Sequence, residues 1–173
     1  MKSFLTLWGT GILLVLELAA GNLGLQLGLP VFGAIYFAAA YGMIYGIAAA
    51  GSAGLLLDIL YARSYLSGAF SMVMITVLAF DYIRRTHRKM PVSPLIAGMI
   101  GGFLTGVNSF LHFYFSGQAY SGPNPVCLAI FQIAGGGLFM LLFSFIGDAV
   151  NFRCNLPQLC PRNASGYQRR NEL

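Results

Sequence analysis

The chain reads as an all-α integral membrane protein, a bundle of about six transmembrane helices, with five as the alternative. Three observations predict this. Only 9% of the residues are charged while 57% are hydrophobic. The mean hydropathy of +0.73 is higher than a domain with a water-facing surface carries. The positive charge is clustered, with Arg84, Arg85, Arg88 and Lys89 between apolar runs and Arg153, Arg162, Arg169 and Arg170 after the last one. Basic clusters that punctuate long apolar segments orient a multi-pass protein with those clusters in the cytoplasm.

A span needs roughly 20 apolar residues, so 173 residues hold five or six spans and short loops. The expected division is a transmembrane domain over 1–146 and a basic, polar, loosely ordered cytoplasmic tail over 147–173. The net charge of +5 reads as topology and contact with anionic headgroups, not as a nucleic-acid interface.

Span one is expected over about 4–27, with Trp8 near an interface and Glu17 inside it. Its length and that carboxylate argue against a cleaved signal. Gly28-Leu29-Pro30 breaks it. The stretch 31–61 would be roughly 45 Å long as one helix, longer than a hydrocarbon core of about 30 Å. Two short helices are expected instead, about 31–48 and 51–61, with a turn where Ala48, Gly51 and Ser52 allow tight geometry. The next span covers about 66–82 and ends at the basic cluster. Pro91 and Pro94 introduce a span over about 95–115. A polar loop over 116–125 leads to the last span, about 126–146. Six spans place both termini and the loop with Arg84, Arg85, Arg88 and Lys89 inside; five would move the N-terminus outside.

Polar side chains within the spans need partners, because lipid supplies none. Glu17, Asp58, Asn108, His112 and Gln132 all fall in the outer half of the six-span arrangement. That common depth marks a possible polar pocket; the alternative is that Asp58 and His112 sit at the interface and meet water. Two small-residue stripes are the second feature. Gly46, Ala50, Gly54 and Asp58 recur at spacing four, and Gly98, Gly101, Thr105, Asn108 and His112 follow a three-four pattern. Such stripes let helices approach closely, within the bundle or against a partner. Gly135-Gly136-Gly137 fits either a close-packing point or a break.

No catalytic constellation emerges, so no enzyme activity is expected. His87 and His112 fall on opposite sides of the membrane, and neither has a nucleophile arranged beside it. Cys127, Cys154 and Cys160 lack the companions a metal site needs, so neither metal nor cofactor is expected.

The segment Gly54-Leu55-Leu56-Leu57-Asp58-Ile59-Leu60, preceded by Tyr45-Gly46 and followed by Leu66-Ser67-Gly68, resembles the MreD family of bacterial rod-shape-determining proteins. In that family a Gly-x-x-x-Asp-Leu-like segment closes one helix and a Leu-Gly-like pair opens the next. The basic loop from Arg84 to Lys89 stands where the resemblance leads one to expect it. Here Ser67 interrupts the Leu-Gly pair, and the last span and the tail with Cys154 and Cys160 have no counterpart in the pattern. The resemblance implies a non-enzymatic, multi-pass subunit of the inner membrane that acts as a scaffold in cell-wall elongation. Gly54, Asp58 and Gly68 would be its motif residues. Its implied partners are membrane lipid, an MreC-like protein, the actin-like MreB and the cell-wall synthases. The family's fold is similar to that of the substrate-binding subunits of energy-coupling-factor vitamin transporters, which supplies the alternative function.

Overall fold

A computed structural model describes residues 1–22, 27–61, 67–86, 92–116 and 125–160. Among them run six helices: α1 (Lys2–Asn22), α2 (Leu29–Tyr41), α3 (Met43–Leu60), α4 (Ser67–Arg85), α5 (Val92–Ser116) and α6 (Pro125–Arg153). Among the described residues there is no strand. Three stretches, Lys2–Gly21, Met43–Leu60 and Ile130–Arg153, are long and apolar enough to cross a membrane.

The distribution of side chains fits an apolar solvent. Leu7, Phe152, Phe70 and Trp8 are exposed while Thr10, Glu17, Asp58, Thr76 and Asn151 are buried. In water the reverse would be favoured. Three buried hydroxyls are satisfied within their own helices. Thr10 Oγ1 donates to the Thr6 carbonyl at 2.7 Å, Thr76 to Met72 at 2.8 Å and Ser144 to Met140 at 2.8 Å. This back-bonding suits a helix that no water reaches.

Consecutive helices alternate in direction. Gly9 lies against Phe37 and Leu13 against Gly33, so α1 and α2 are antiparallel. Gly54 faces Ala69 across α3 and α4, and Gly98 faces Gly136 across α5 and α6. The N-terminal ends of α1, α3 and α5 therefore share one end of the bundle with the C-terminal ends of α2, α4 and α6. Lys2, Arg84, Arg85 and Arg153 all lie at this basic end. Glu17 and Asp58 lie toward the opposite end.

α2 is the axis. It packs against each of the other five helices, and all its residues from Leu29 to Ala40 are buried. A helix that is apolar on every face needs such a surround. Its 13 residues span about 20 Å.

The split of 31–61 into two helices holds, but the turn at Ala48–Ser52 does not: α3 runs unbroken from Met43 to Leu60. The break is at Gly42, whose φ of 114° is open to glycine and strained for other residues. The Gly46–Ser52 stretch serves packing instead. A Cβ on Gly46 would overlap Ala38, so this glycine lets α3 fold back onto α2. The stripe Gly46, Ala50, Gly54 and Asp58 consequently shares one intact, buried helix face. Likewise Gly135-Gly136-Gly137 lies inside an unbroken α6, and a Cβ at Gly136 would overlap the Gly98 carbonyl oxygen.

The expected end of the first span near Leu27 falls beside residues 23–26, which lie outside the described residues. One other boundary differs from expectation. α6 continues past Ile146 to Arg153, and residues 154–160 fold back against the bundle. The basic residues Arg63, Arg88, Lys89, Arg162, Arg169 and Arg170, and His87 with them, lie outside the described residues, as does the loop between α5 and α6.

Candidate functional site

Three carboxylates organise the helix ends, each by gripping backbone N–H groups further along the chain. Glu17, in α1, is 4% exposed. Its Oε1 accepts the N–H groups of Leu27 and Gly28, both at 3.1 Å, and its Oε2 accepts that of Leu29 at 3.0 Å. The first N–H groups of any helix lack intrahelical partners. Here a side chain from the neighbouring helix supplies them, and its negative charge faces the positive end of the α2 dipole. Gly28, at the N-cap with φ 69°, turns the chain so that these N–H groups converge.

Asp58 does the same for α4. It is 2% exposed, and its two oxygens accept the N–H groups of Gly68 at 3.2 Å and Ala69 at 3.1 Å. Gly54, one turn earlier on the same face, is pressed against the Ala69 backbone, and a Cβ on Gly68 would overlap the Asp58 carboxylate. Gly54, Asp58 and Gly68 thus form one packed unit at the α3–α4 corner.

The third carboxylate, Asp148, is at the basic end. It accepts the N–H groups of Leu159 at 2.8 Å and Cys160 at 2.7 Å, and the Tyr36 hydroxyl at 2.9 Å. Asn151, 1% exposed, donates to the Tyr36 hydroxyl at 2.9 Å and to the Pro157 carbonyl at 2.8 Å, and accepts from Tyr41. α6 itself ends with Asn155 at φ 52°. The Leu156 N–H reaches back to the Asn151 carbonyl at 2.9 Å and the Asn155 N–H to that of Phe152, the double bond that closes a helix with a left-handed residue. Residues 154–160 are therefore a strap, seated by Leu159, which is 4% exposed.

Sequence reasoning missed Asp148, Asn151, Tyr36 and Tyr41. The signal available for the strap was Asn155-Leu156-Pro157, a left-handed-tolerant residue followed by proline just past a helix.

The residues proposed as a polar pocket fall on three hairpins. Glu17 holds α1 to α2 and Asp58 holds α3 to α4. Gln132, 7% exposed, lies at the α5–α6 seam against Gly106. Asn108 is half-buried on α5. His112 is within α5, and its side chain lies outside the described residues. Among the described residues there is no group of three or more His, Cys, Asp or Glu placed to hold a metal ion. At the basic loop, Arg85 Nε meets Asp81 Oδ2 at 2.8 Å one turn earlier, an exposed pair that contributes little stability.

The strap carries a chemical consequence. Burial, and then the Asp148 carboxylate, push the Cys160 thiol above its ordinary range. The folded chain therefore holds this proton more tightly than the unfolded chain. The associated stability is present below the usual thiol range and is lost as pH rises through the elevated value. Because the thiolate is the nucleophile, Cys160 is expected to react slowly with iodoacetamide at pH 8. Asp148→Asn removes the charge and weakens the seat, so it should speed the reaction several-fold, read by peptide mapping with Cys154 as the internal reference. Equal rates in the two proteins would show that Asp148 does not hold the strap.

Comparison of the chain with protein-family models, with curated proteins and with solved structures finds no match.

Proposed function

We propose that the chain is a non-enzymatic, multi-pass subunit of the bacterial cell-wall elongation machinery, a scaffold whose work is done by helix faces and loops. In this reading all six helices cross the inner membrane, with α2 a short span shielded from lipid by the others. The basic end, the N-terminus and the C-terminal strap face the cytoplasm.

One observation carries the reading. The residues behind the resemblance to the MreD family are the ones that build the α3–α4 corner, with Gly54 giving the close approach, Asp58 the clamp and Gly68 the clamped N–H. A motif defined by packing and backbone capping suits a protein that presents a fixed shape to partners. The orientation follows from the gathering of Lys2, Arg84, Arg85 and Arg153 at one end, while Glu17 and Asp58 lie toward the other.

Gly54→Leu tests it. The larger side chain would force α3 from α4, because Gly54 abuts backbone and not a movable side chain. The variant should remain in the membrane but lose recovery of the MreC-like partner and the synthases, and its cells should round up. Normal cell shape with unchanged complex recovery would count against the proposal.

A further inference from the structure

The strap over 154–160 carries a cysteine at each end. Both thiols are free and half-buried, so neither is sealed in the core, the usual place of an unpaired cysteine. Cys154 closes α6, and its N–H still bonds the Val150 carbonyl at 3.1 Å. Asn155, at φ 52°, then reverses the chain. The reversal carries Cys160 back to Asp148, whose Oδ2 accepts its N–H at 2.7 Å. Asp148 lies six residues before Cys154, about 9 Å along the helix axis. Its side chain tilts toward the helix N-terminus, away from Cys154. A disulfide needs its two Cα atoms within about 7 Å of each other. The seated strap therefore holds its two cysteines apart, and a bond between them forms only after Cys160 leaves Asp148. Cys127 is no rival partner, because it lies in the first turn of α6, about 40 Å from Cys154.

We propose that the strap is a redox-sensitive latch: reduced, it is seated on Asp148 and Asn151; oxidised, a Cys154–Cys160 disulfide holds it off that seat. The oxidant is a low-molecular-weight disulfide of the cytoplasm, where protein disulfides serve as transient redox sensors. One strap thiolate attacks the small disulfide and releases one thiol. The other strap thiolate then displaces the second thiol, and the internal S–S bond closes. The two strap protons leave on the two released thiols, and the small disulfide takes the two electrons. Lifting the strap strips Asp148 of the Leu159 and Cys160 N–H groups and leaves the Asn151 amide without the Pro157 carbonyl. Both side chains are joined to α2 through the Tyr36 hydroxyl, and α2 touches every other helix. The latch therefore acts on the axis of the bundle. Burial and the Asp148 carboxylate favour the protonated Cys160 thiol in the seated strap, and the thiolate is the form that exchanges. Oxidation thus waits on the strap lifting. The inference rests on the basic end facing the cytoplasm and not on a role in cell shape.

The test is titration of the full chain in mild detergent with oxidised glutathione, read by non-reducing peptide mapping and by hydrogen–deuterium exchange over 154–160. The main product should be the Cys154–Cys160 linkage within one chain. Exchange over the strap should then quicken by about tenfold or more, and dithiothreitol should restore the protection. Asp148→Asn should speed the linkage several-fold, because it loosens the seat. In a chain carrying both Cys154→Ser and Cys160→Ser, the oxidant should leave exchange over the strap unchanged. Glutathione adducts without the internal linkage would overturn the proposal, as would no reaction, or a linkage that leaves exchange unchanged. An equal rate in Asp148→Asn, or faster exchange in the oxidised double variant, would overturn it too. Recovery of partner proteins is a separate readout, so a failure here leaves the proposed function standing.

Discussion

Glu17→Ala is expected to cost about 4 kcal/mol of stability. The substitution strands the N–H groups of Leu27, Gly28 and Leu29, at roughly 1–3 kcal/mol for each buried, unsatisfied group. Against a total stability on the order of 10 kcal/mol, that is enough to deplete folded protein. Glu17→Gln should fall between, at about 2 kcal/mol, because its amide offers only one accepting oxygen and sets an NH2 group against a donor. Denaturant melts of α-helical signal in detergent would rank the three proteins. A Glu17→Ala protein as stable as the parent would mean that α2 does not depend on this clamp. The effect should spread beyond α1, since α2 touches every other helix.

The second large effect is expected at the α5–α6 seam. A Cβ on Gly102 would overlap the Gln132 carbonyl oxygen and stand 2.9 Å from its carbon. Backbone cannot rotate away as a side chain can, so Gly102→Ala must separate two helices that pack closely along much of their length. Overpacking of a core costs about 1–3 kcal/mol, and this site belongs at the upper end. Gly11 is the control. It is exposed on α1 and a Cβ there meets nothing within 4 Å. Gly11→Ala should be neutral or stabilise by about 0.5–1 kcal/mol, since glycine within a helix is unfavourable relative to alanine. Thermal melts of the two variants test the seam directly, and similar melting temperatures would refute the close packing assigned to it.

Much of the fold was legible in the sequence, because lipid leaves few ways to satisfy a backbone. Apolar length set the helix number, and the basic clusters at Arg84–Arg85 and Arg153 fall together at one end. The break in 31–61 was misplaced for a physical reason. A run of Gly, Ala and Ser signals both tight turning and close packing, and composition cannot separate them. The residue that turns the chain is the lone Gly42 between Tyr41 and Met43, whereas the Gly–Ala run is what α2 and α4 press against.

The polar residues show a similar division. Glu17 and Asp58 stood out because carboxylates are costly within an apolar helix. Their partners could not be read, since those are backbone N–H groups of the following helix, which carry no sequence signature. Asp148 falls within the stretch 147–173 whose polar, basic composition reads as a tail, so nothing in the sequence marks it as buried. In the structure it repeats the device, and its partners, like those of Glu17 and Asp58, lie about three turns of helix further along the chain. Of the chain's five acidic residues, these three hold backbone N–H groups where the chain turns back: Glu17 at the start of α2, Asp58 at the start of α4 and Asp148 at the strap after α6.

The central claim is that this shape exists to be recognised by other proteins. Its most direct test is purification of the intact chain in mild detergent from its native host, with mass spectrometry of every protein and small molecule that accompanies it. The account predicts an MreC-like protein and cell-wall synthases, with no metabolite at stoichiometric level. A retained metabolite, or the energising module of a transporter in place of those partners, would contradict it.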